Sequence, residues 1–450
     1  MMIRRADPIL AATLGLSFAG LVHAQSPQAS APESLHIGVA TQNAANINLA
    51  ARAERRMNML PKADQIGLAN QFATQASKAR SLSAYLRTAA GGDNHGSTGT
   101  SYTLALGISK QESIQHITEA AHDYVVGAYS LEPTPAEPTI TYKPEYLLSS
   151  LNPTFAICDD GVWVKPGFVY QSQIDRVTTA LKTLPLSVGL FSSYRQTNTA
   201  GMPRPADVML PSAGTGVAIG SDAVLTNQHV VANMVVNASE SPSQWALNST
   251  KTRFLVRFPV ETTACAKAAA VATFEVTGLI YVGKGPDFDD DIAVVKVSPL
   301  SSAVLQPVNF DSNASFIDDA YLGVIGYPDK PDPSDYVPPN GNGLFPDDTS
   351  LDAYFDLPNG ALPKYRIARF GFGTLVDLQD PEKRIIGHDA PTDNSSSGSL
   401  VVSLETGRPI GLHAGGNLGA GSKSGVNIAY RADYIVQQLQ MHKVLVAPER

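Results

Sequence analysis

Three neighbourhoods in this chain hold side chains able to attack a carbon or move a proton. "PTDNSSSGSLVV", from Pro391 to Val402, places Ser395, Ser396, Ser397 and Ser399 around Gly398. A serine hydroxyl is a weak nucleophile until a base removes its proton, and that base works best when an acid orients it. Ser and Gly also fill polar turns for reasons of backbone geometry alone, so the stretch needs partners elsewhere. "AIGSDAVLTNQHVVANM" supplies a candidate base in His229, an imidazole whose ordinary pKa lets it take and return a proton near neutrality. "DFDDDIAVVKVSPL" supplies a candidate acid. Asp291 opens its apolar run and is the aspartate carried inward, whereas Asp287, Asp289 and Asp290 read as a solvated turn.

These groups must be positioned by elements of two kinds. From about Ser187 onward the chain breaks into short β-prone runs: "GVAIG", "FLVRFPV", "ATFEVTGLIYVG", "DIAVVKV", "AYLGVIGYP", "YRIARFGFGTLVDL", "SLVVS" and "PIGLHAGG". Gly, Pro, Asn and Asp separate them, the pattern of an antiparallel sandwich or barrel. His229 follows a short apolar strand, and Thr226 and Asn227 beside it form turns readily. "RADYIVQQLQMH" closes the chain as a helix. The first part is different. Asn43 to Leu86 reads as two helices, "SKQESIQHITEAAHDYVVGAYSL" as a third, and "LEPTPAEPTITYKPEY" as a linker or extended wrap. "SQIDRVTTALKTLP" puts Ile174, Val177, Leu181 and Leu184 on one helical face before Pro185 ends it.

At 450 residues, 43% apolar and 16% charged, the chain is globular and long enough for more than one domain. A net charge of -8 and a pI near 5.6, with no basic run, argue against a phosphate-binding surface, so no nucleic-acid partner is expected. Arg4 and Arg5, the apolar stretch Ile9 to Val22 and a small-residue site at Val22 to Ala24 read as a secretory signal peptide over residues 1–24. The apolar stretch is short of the roughly 20 residues a membrane span needs, and the chain is expected to be secreted or periplasmic. Export permits a disulfide between the only cysteines, Cys158 and Cys265, with two free thiols as the alternative. From Pro328 to Pro363 lie seven aspartates among Pro and Gly breaks. This reads as a solvated loop without the acid spacing of a calcium site, and no cofactor or metal is expected.

Taken together, "LTNQHVV", "DDDIAVVKV", "IGYP" and "HDAPTDNSSSGSLV" followed by "GRPIGLHAGG" resemble the histidine, aspartate and serine blocks of trypsin-like (chymotrypsin-fold) serine endopeptidases. The bacterial branch that includes the glutamyl endopeptidases is the most similar in these blocks. The order His, Asp, Ser along the chain fits that family. The resemblance covers roughly Ser187 to His442. It implies a mainly β protein built as a double antiparallel β-barrel with a C-terminal helix, and a triad in which His229 is base and acid, Asp291 orients it and Ser397 is the nucleophile. It implies an oxyanion hole from the backbone N–H groups of Ser395 and Ser397. The family usually has glycine where this chain has Ser395 and proline where it has Leu400; a serine in a glycine conformation costs energy.

The resemblance further implies one of two roles here: Thr392 and His413 receive a substrate carboxylate, giving cleavage after Glu, or His413 only fills the pocket wall as in a broader set of bacterial peptidases that share "GLH-x-GG"; Gly415 leaves room for substrate backbone. A protonated His413 would bind that carboxylate better, so Glu preference is expected to weaken as pH rises through its titration. Residues 25–185 are expected to be an α-helical region, either a propeptide of a zymogen or a partner-binding domain, and residues 186–450 the peptidase domain. Protein or peptide substrates follow from this reading; a catalytically inactive peptidase-fold binding protein is the alternative.

Overall fold

The β-prone runs alternate in a way that buries both faces of the strands. In "VGLFSSYR" Leu190 and Phe191 are both buried yet belong to different apolar clusters, and Val224 and Leu225, then Val294 and Val295, behave likewise. Successive side chains of a strand point to opposite faces, so one face fills a barrel and the other packs outside it. The computed structural model describes residues 49–65, 130–132, 139–141, 154–158, 161–162, 168–195, 214–236, 238, 241–248, 252–259, 271–283, 290–329, 367–416 and 426–444. All of them belong to one compact unit, Leu35–Arg450.

The described elements open with helix α1 (Leu49–Met59) and the strands β1 (Ser130–Glu132), β2 (Thr139–Thr141), β3 (Thr154–Cys158) and β4 (Gly161–Val162). Helices α2 (Gln171–Arg176) and α3 (Thr178–Thr183) follow. Strands β5 (Val188–Arg195), β6 (Gly214–Ala218), β7 (Ala223–Thr226), β8 (Thr252–Pro259), β9 (Val271–Val282) and β10 (Ala293–Pro299) then close into an antiparallel barrel in the order β10-β7-β6-β5-β8-β9. Helix α4 (Gln228–Ala232) sits within this half. Inside the barrel Phe191, Val224, Val256, Phe274 and Val295 form one core. Two register shifts between β9 and β10 interrupt the alternation of "VATFEVTGLIYV", which leaves Ile280 exposed.

Strands β11 (Tyr321–Gly326), β12 (Arg369–Val376), β13 (Ile385–His388), β14 (Leu400–Ser403), β15 (Pro409–Gly416) and β16 (Asn427–Arg431) run in the order β11-β14-β15-β16-β13-β12. Pairing of β11 with β12 closes them into a second six-stranded barrel, and β3 with β4 extend it from β12. Helix α5 (Ala432–Met441) ends the described chain. Leu322, Leu375, Val401 and Ile410 fill the second barrel. A third, larger core joins Val217, Leu225 and Val294 of the first barrel to Ile325, Leu412 and Tyr430 of the second. This is the double antiparallel β-barrel of the chymotrypsin type, as the resemblance implied.

Upstream of the barrels the chain does more than form helices. The "SQIDRVTTALKTLP" segment is two short helices broken at Val177, with Ile174, Val177 and Leu181 buried in the shared core. Strand β3 is hydrogen-bonded to β12, and β1 and β2 pair with each other inside the proline-rich stretch. Helix α1 docks by its arginines. The Arg52 guanidinium donates to both Asp318 carboxylate oxygens at 2.8 and 2.9 Å and to the Leu375 carbonyl at 2.7 Å. Arg56 meets Asp389 at 3.3 Å and lies over the Tyr170 ring. The expected signal peptide over residues 1–24, the expected helix at "SKQESIQHITEAAHDYVV", the acidic stretch beyond Asp329 and Cys265 lie outside the described residues, and so does the choice between a disulfide and two free thiols. Among the described residues no helix is long and apolar enough to cross a membrane, and no cluster of three or more His, Cys, Asp or Glu side chains could hold a metal ion.

Candidate active site

Strand β7 ends at Thr226, Asn227 turns the chain in an extended conformation, and α4 starts at Gln228, so His229 emerges at the rim of the first barrel. Asp291 lies two residues before β10, which is paired with β7, and this adjacency brings two residues 62 positions apart into contact. The His229 Nδ1 lies 2.7 Å from Asp291 Oδ2, and the His229 backbone N–H donates to Oδ1 at 2.9 Å. Asn227 Nδ2 donates to the Asp291 carbonyl at 3.0 Å, and the Asp291 N–H donates to the Tyr430 hydroxyl at 2.7 Å. Asp291 is 1% exposed, whereas the His229 side chain keeps 39% of its surface open.

Burial works against a charged imidazole at His229, but the Asp291 carboxylate and its hydrogen bond outweigh it and leave the pKa raised above the usual 6.5. Within the acidic run, Asp290 departs from a plain solvated turn. Asp290 is half-buried and accepts a hydrogen bond from the Tyr281 hydroxyl, because β9 runs alongside it; Asp287 and Asp289 lie outside the described residues.

The serine turn belongs to the second barrel but is gripped by the first. The Thr215 N–H of β6 donates to the Ser397 carbonyl and its hydroxyl to the Ser395 carbonyl, each at 2.8 Å. Gly398 has φ +86, and a Cβ there would lie 2.0 Å from the Thr215 carbonyl oxygen, so only glycine allows this approach. A Cβ on Gly214 would meet Val230 of α4 at 2.7 Å and the Ser397 carbonyl at 3.2 Å. The first residue of β6 is therefore wedged between the helix that carries His229 and the turn that carries Ser397. Among the described residues nothing accepts a hydrogen bond from the Ser397 N–H. The Ser397 hydroxyl donates to the Ala414 carbonyl at 3.2 Å rather than to His229.

Ser395 adopts φ +68, the left-handed conformation that costs a non-glycine residue about 1–2 kcal/mol. Its hydroxyl donates to Asp329 Oδ2 at 2.9 Å. Leu400, at the other departure from the family pattern, is simply a fully buried first residue of β14.

His413 lies on β15, 2% exposed, with Nδ1 3.1 Å from Nε2 of His388. Burial, then the neighbouring His388 and His229, hold its pKa well below 6.5. At neutral pH it is therefore an uncharged imidazole, so contrary to the expectation no protonated His413 is there to strengthen carboxylate binding. The bulge at Ala414 in the β15–β16 pairing turns the strand beside Gly415 and Gly416, both half-buried, and pairing with β14 stops at Leu412. Thr392 is half-buried on the approach to the serine turn. Asn227 had been marked only as a turn-former, and nothing in the local sequence of Tyr430, His388, Thr215 or Asp329 flags a role, since each contact spans distant parts of the chain.

Two antiparallel barrels with a His–Asp pair on one and a serine turn on the other define a fold of the chymotrypsin type. Residues 214–412 match the family model described as a trypsin-like peptidase domain. This part of the chain, which holds both the His–Asp pair and the serine turn, is similar to peptidases of that family. Among solved structures, one titled "Crystal structure of Deg5" aligns over 61% of this chain and 94% of its own, at 16% identity and a TM-score of 0.34. No curated protein matches.

Proposed function

We propose that the protein is an exported serine endopeptidase that hydrolyses peptide bonds through an acyl-enzyme. The observation that carries this reading is the His229–Asp291 pair beside a turn in which the Ser397 N–H has no acceptor among the described residues. Rotation of the Ser397 hydroxyl from Ala414 toward His229 passes its proton to the imidazole while its oxygen attacks the acyl carbon. Asp291 holds Nδ1–H, so Nε2 takes that proton and returns it to the leaving amine. The N–H groups of Ser397 and Ser395 receive the oxyanion, a contribution often near 3 kcal/mol per donor. Water then repeats the sequence to release the acid product. Substrate backbone pairs with the edge of Ala414 to Gly416, beyond the reach of β14.

A serine-directed fluorophosphonate tests the assignment. The exported protein is expected to label, and Ser397→Ala to abolish the label; wild-type protein that never labels would remove the reading. The second reading, a catalytically silent barrel that binds peptides, draws on the Ser397 contact with Ala414.

Preference for Glu follows from the same site. With Nδ1 engaged by His388, His413 keeps Nε2 to meet a carboxylate, and Thr392 supplies a hydroxyl nearby in sequence to Ser397. Because His413 is neutral, preference for Glu in a peptide-library digest is expected to stay level from pH 6 to 8 and to fall in His413→Ala. Equal cleavage after Leu, Lys and Glu by the wild type would leave the triad assignment intact and remove this one.

A further inference from the structure

We infer that Asp329 is a positioning residue for the oxyanion-binding turn: by holding the Ser395 hydroxyl it fixes a serine in the backbone conformation that glycine adopts freely. This rests on the reading of Ser397 as nucleophile and adds a residue that the triad does not include. Ser395 is the one residue of the serine turn, other than Gly398, with positive φ, and its side chain is the atom set that glycine lacks. That side chain donates to Asp329 Oδ2 at 2.9 Å.

The grip is not confined to the side chain. Asp329 follows β11 by three residues, and its own N–H donates to the Asn394 carbonyl at 2.8 Å. The Asn394 carbonyl and the Ser395 N–H belong to one planar peptide and point in opposite directions. Fixing the carbonyl therefore aims the N–H. On the other side of Ser395 its own carbonyl is held by the Thr215 hydroxyl, which in turn accepts from the Tyr327 N–H at 3.2 Å. Residues 327–329 and 394–395 are thus laced on both flanks of the strained residue, and the hydroxyl–carboxylate bond is the tie that a glycine chain neither needs nor could form. Charge alone would argue the other way, since a carboxylate near a developing oxyanion slows acylation. The two roles predict opposite signs.

The experiment uses the full chain and a saturable fluorophosphonate, separating the maximal labelling rate from the half-saturating concentration. Asp329→Ala is expected to lower the maximal rate by about tenfold or more, with half-saturation unchanged, because one donor is misaimed rather than deleted. Asp329→Asn keeps an acceptor oxygen and is expected to lose less. In a Ser395→Gly background, Asp329→Ala is expected to cost less than about twofold, since the tie is then absent and the conformation is no longer strained. A faster rate in Asp329→Ala, or the same loss in both backgrounds, would overturn the proposal. Urea unfolding of the wild type, Asp329→Ala, Ser395→Gly and the double variant gives a second reading that needs no activity: the destabilisation by Asp329→Ala should shrink when residue 395 is glycine, and strictly additive midpoints would refute the tie. If the wild type never labels but the unfolding cycle couples, the peptidase reading falls and the tie stands.

Discussion

At the scale of single residues, the His229–Asp291 contact makes activity and stability run in opposite directions with pH. The imidazole is raised above 6.5 by the Asp291 carboxylate and its hydrogen bond, against the effect of burial. As a base it must be neutral, so kcat/KM is expected to fall as pH drops through a value above 6.5. The stability from the pair has the other sign: it is fully present below the unfolded value near 6.5 and lost as pH rises through the raised folded value. Asp291→Asn removes the charge and leaves burial, so the acid limb of the profile should move below 6.5 while kcat falls by about four powers of ten. A limb that stays in place in the variant would assign it to another group.

Among the elements, α1 is the one whose role depends least on its own propensity. It is rich in Ala and Arg and reads as a solvent-exposed helix, yet Arg52 and Arg56, one turn apart, are 6% and 5% exposed. Arg56 faces Asp389, whose oxygens also accept from the Thr374 N–H at 2.6 Å and hydroxyl at 2.9 Å. Removing one partner of a buried ion pair leaves the other charge stranded, typically at a cost of about 3–5 kcal/mol. Arg56→Ala is therefore expected to shift the urea midpoint far more than Arg55→Ala, which lies outside the described buried set; equal small shifts would show that α1 contributes little to the fold. The eight β-prone runs read from the sequence each contain or overlap a strand, because alternation with turn residues between is a local signal. The short apolar strand read before His229 is β7, whereas β1 to β5, β13 and β16 escaped that reading. β13 has four residues, and β5 carries buried Ser192 and Ser193 where the pattern expects apolar groups.

For the whole molecule, the second barrel holds two buried imidazoles that resist protonation. Burial pushes His388 down to about 4, with Asp389 and the Ala390 backbone pulling the other way, and His413 is held well below 6.5. A histidine depressed in the folded state binds protons more readily once unfolded, so stability is expected to fall as pH drops from 6.5 toward 4. For His388 alone the loss is on the order of 3 kcal/mol. Thermal melts from pH 7 to 4 should show this slope, and His388→Gln should flatten it; an unchanged slope would place the acid sensitivity in carboxylates. The same two residues, on β13 and β15, show why pockets are properties of the assembled barrel: both strands pair with β16, and only that arrangement brings residues 25 positions apart to 3.1 Å.

The sequence by itself determined the β-rich second half, the C-terminal helix and the three chemical neighbourhoods, because alternation, turn residues and the order of His229, Asp291 and Ser397 are all local or ordinal signals. It also marked Ser395 as the departure from glycine, which is visible as a residue type. Only the tertiary structure decided that Ser395 takes φ +68 and is tied to Asp329, that Tyr430 accepts from the Asp291 N–H, that His413 is neutral, and that α1 is pinned by arginines. Each of these depends on a partner between 25 and 333 positions away or on burial by another element, and neither distance in space nor loss of water is written in the spacing of residues along a chain.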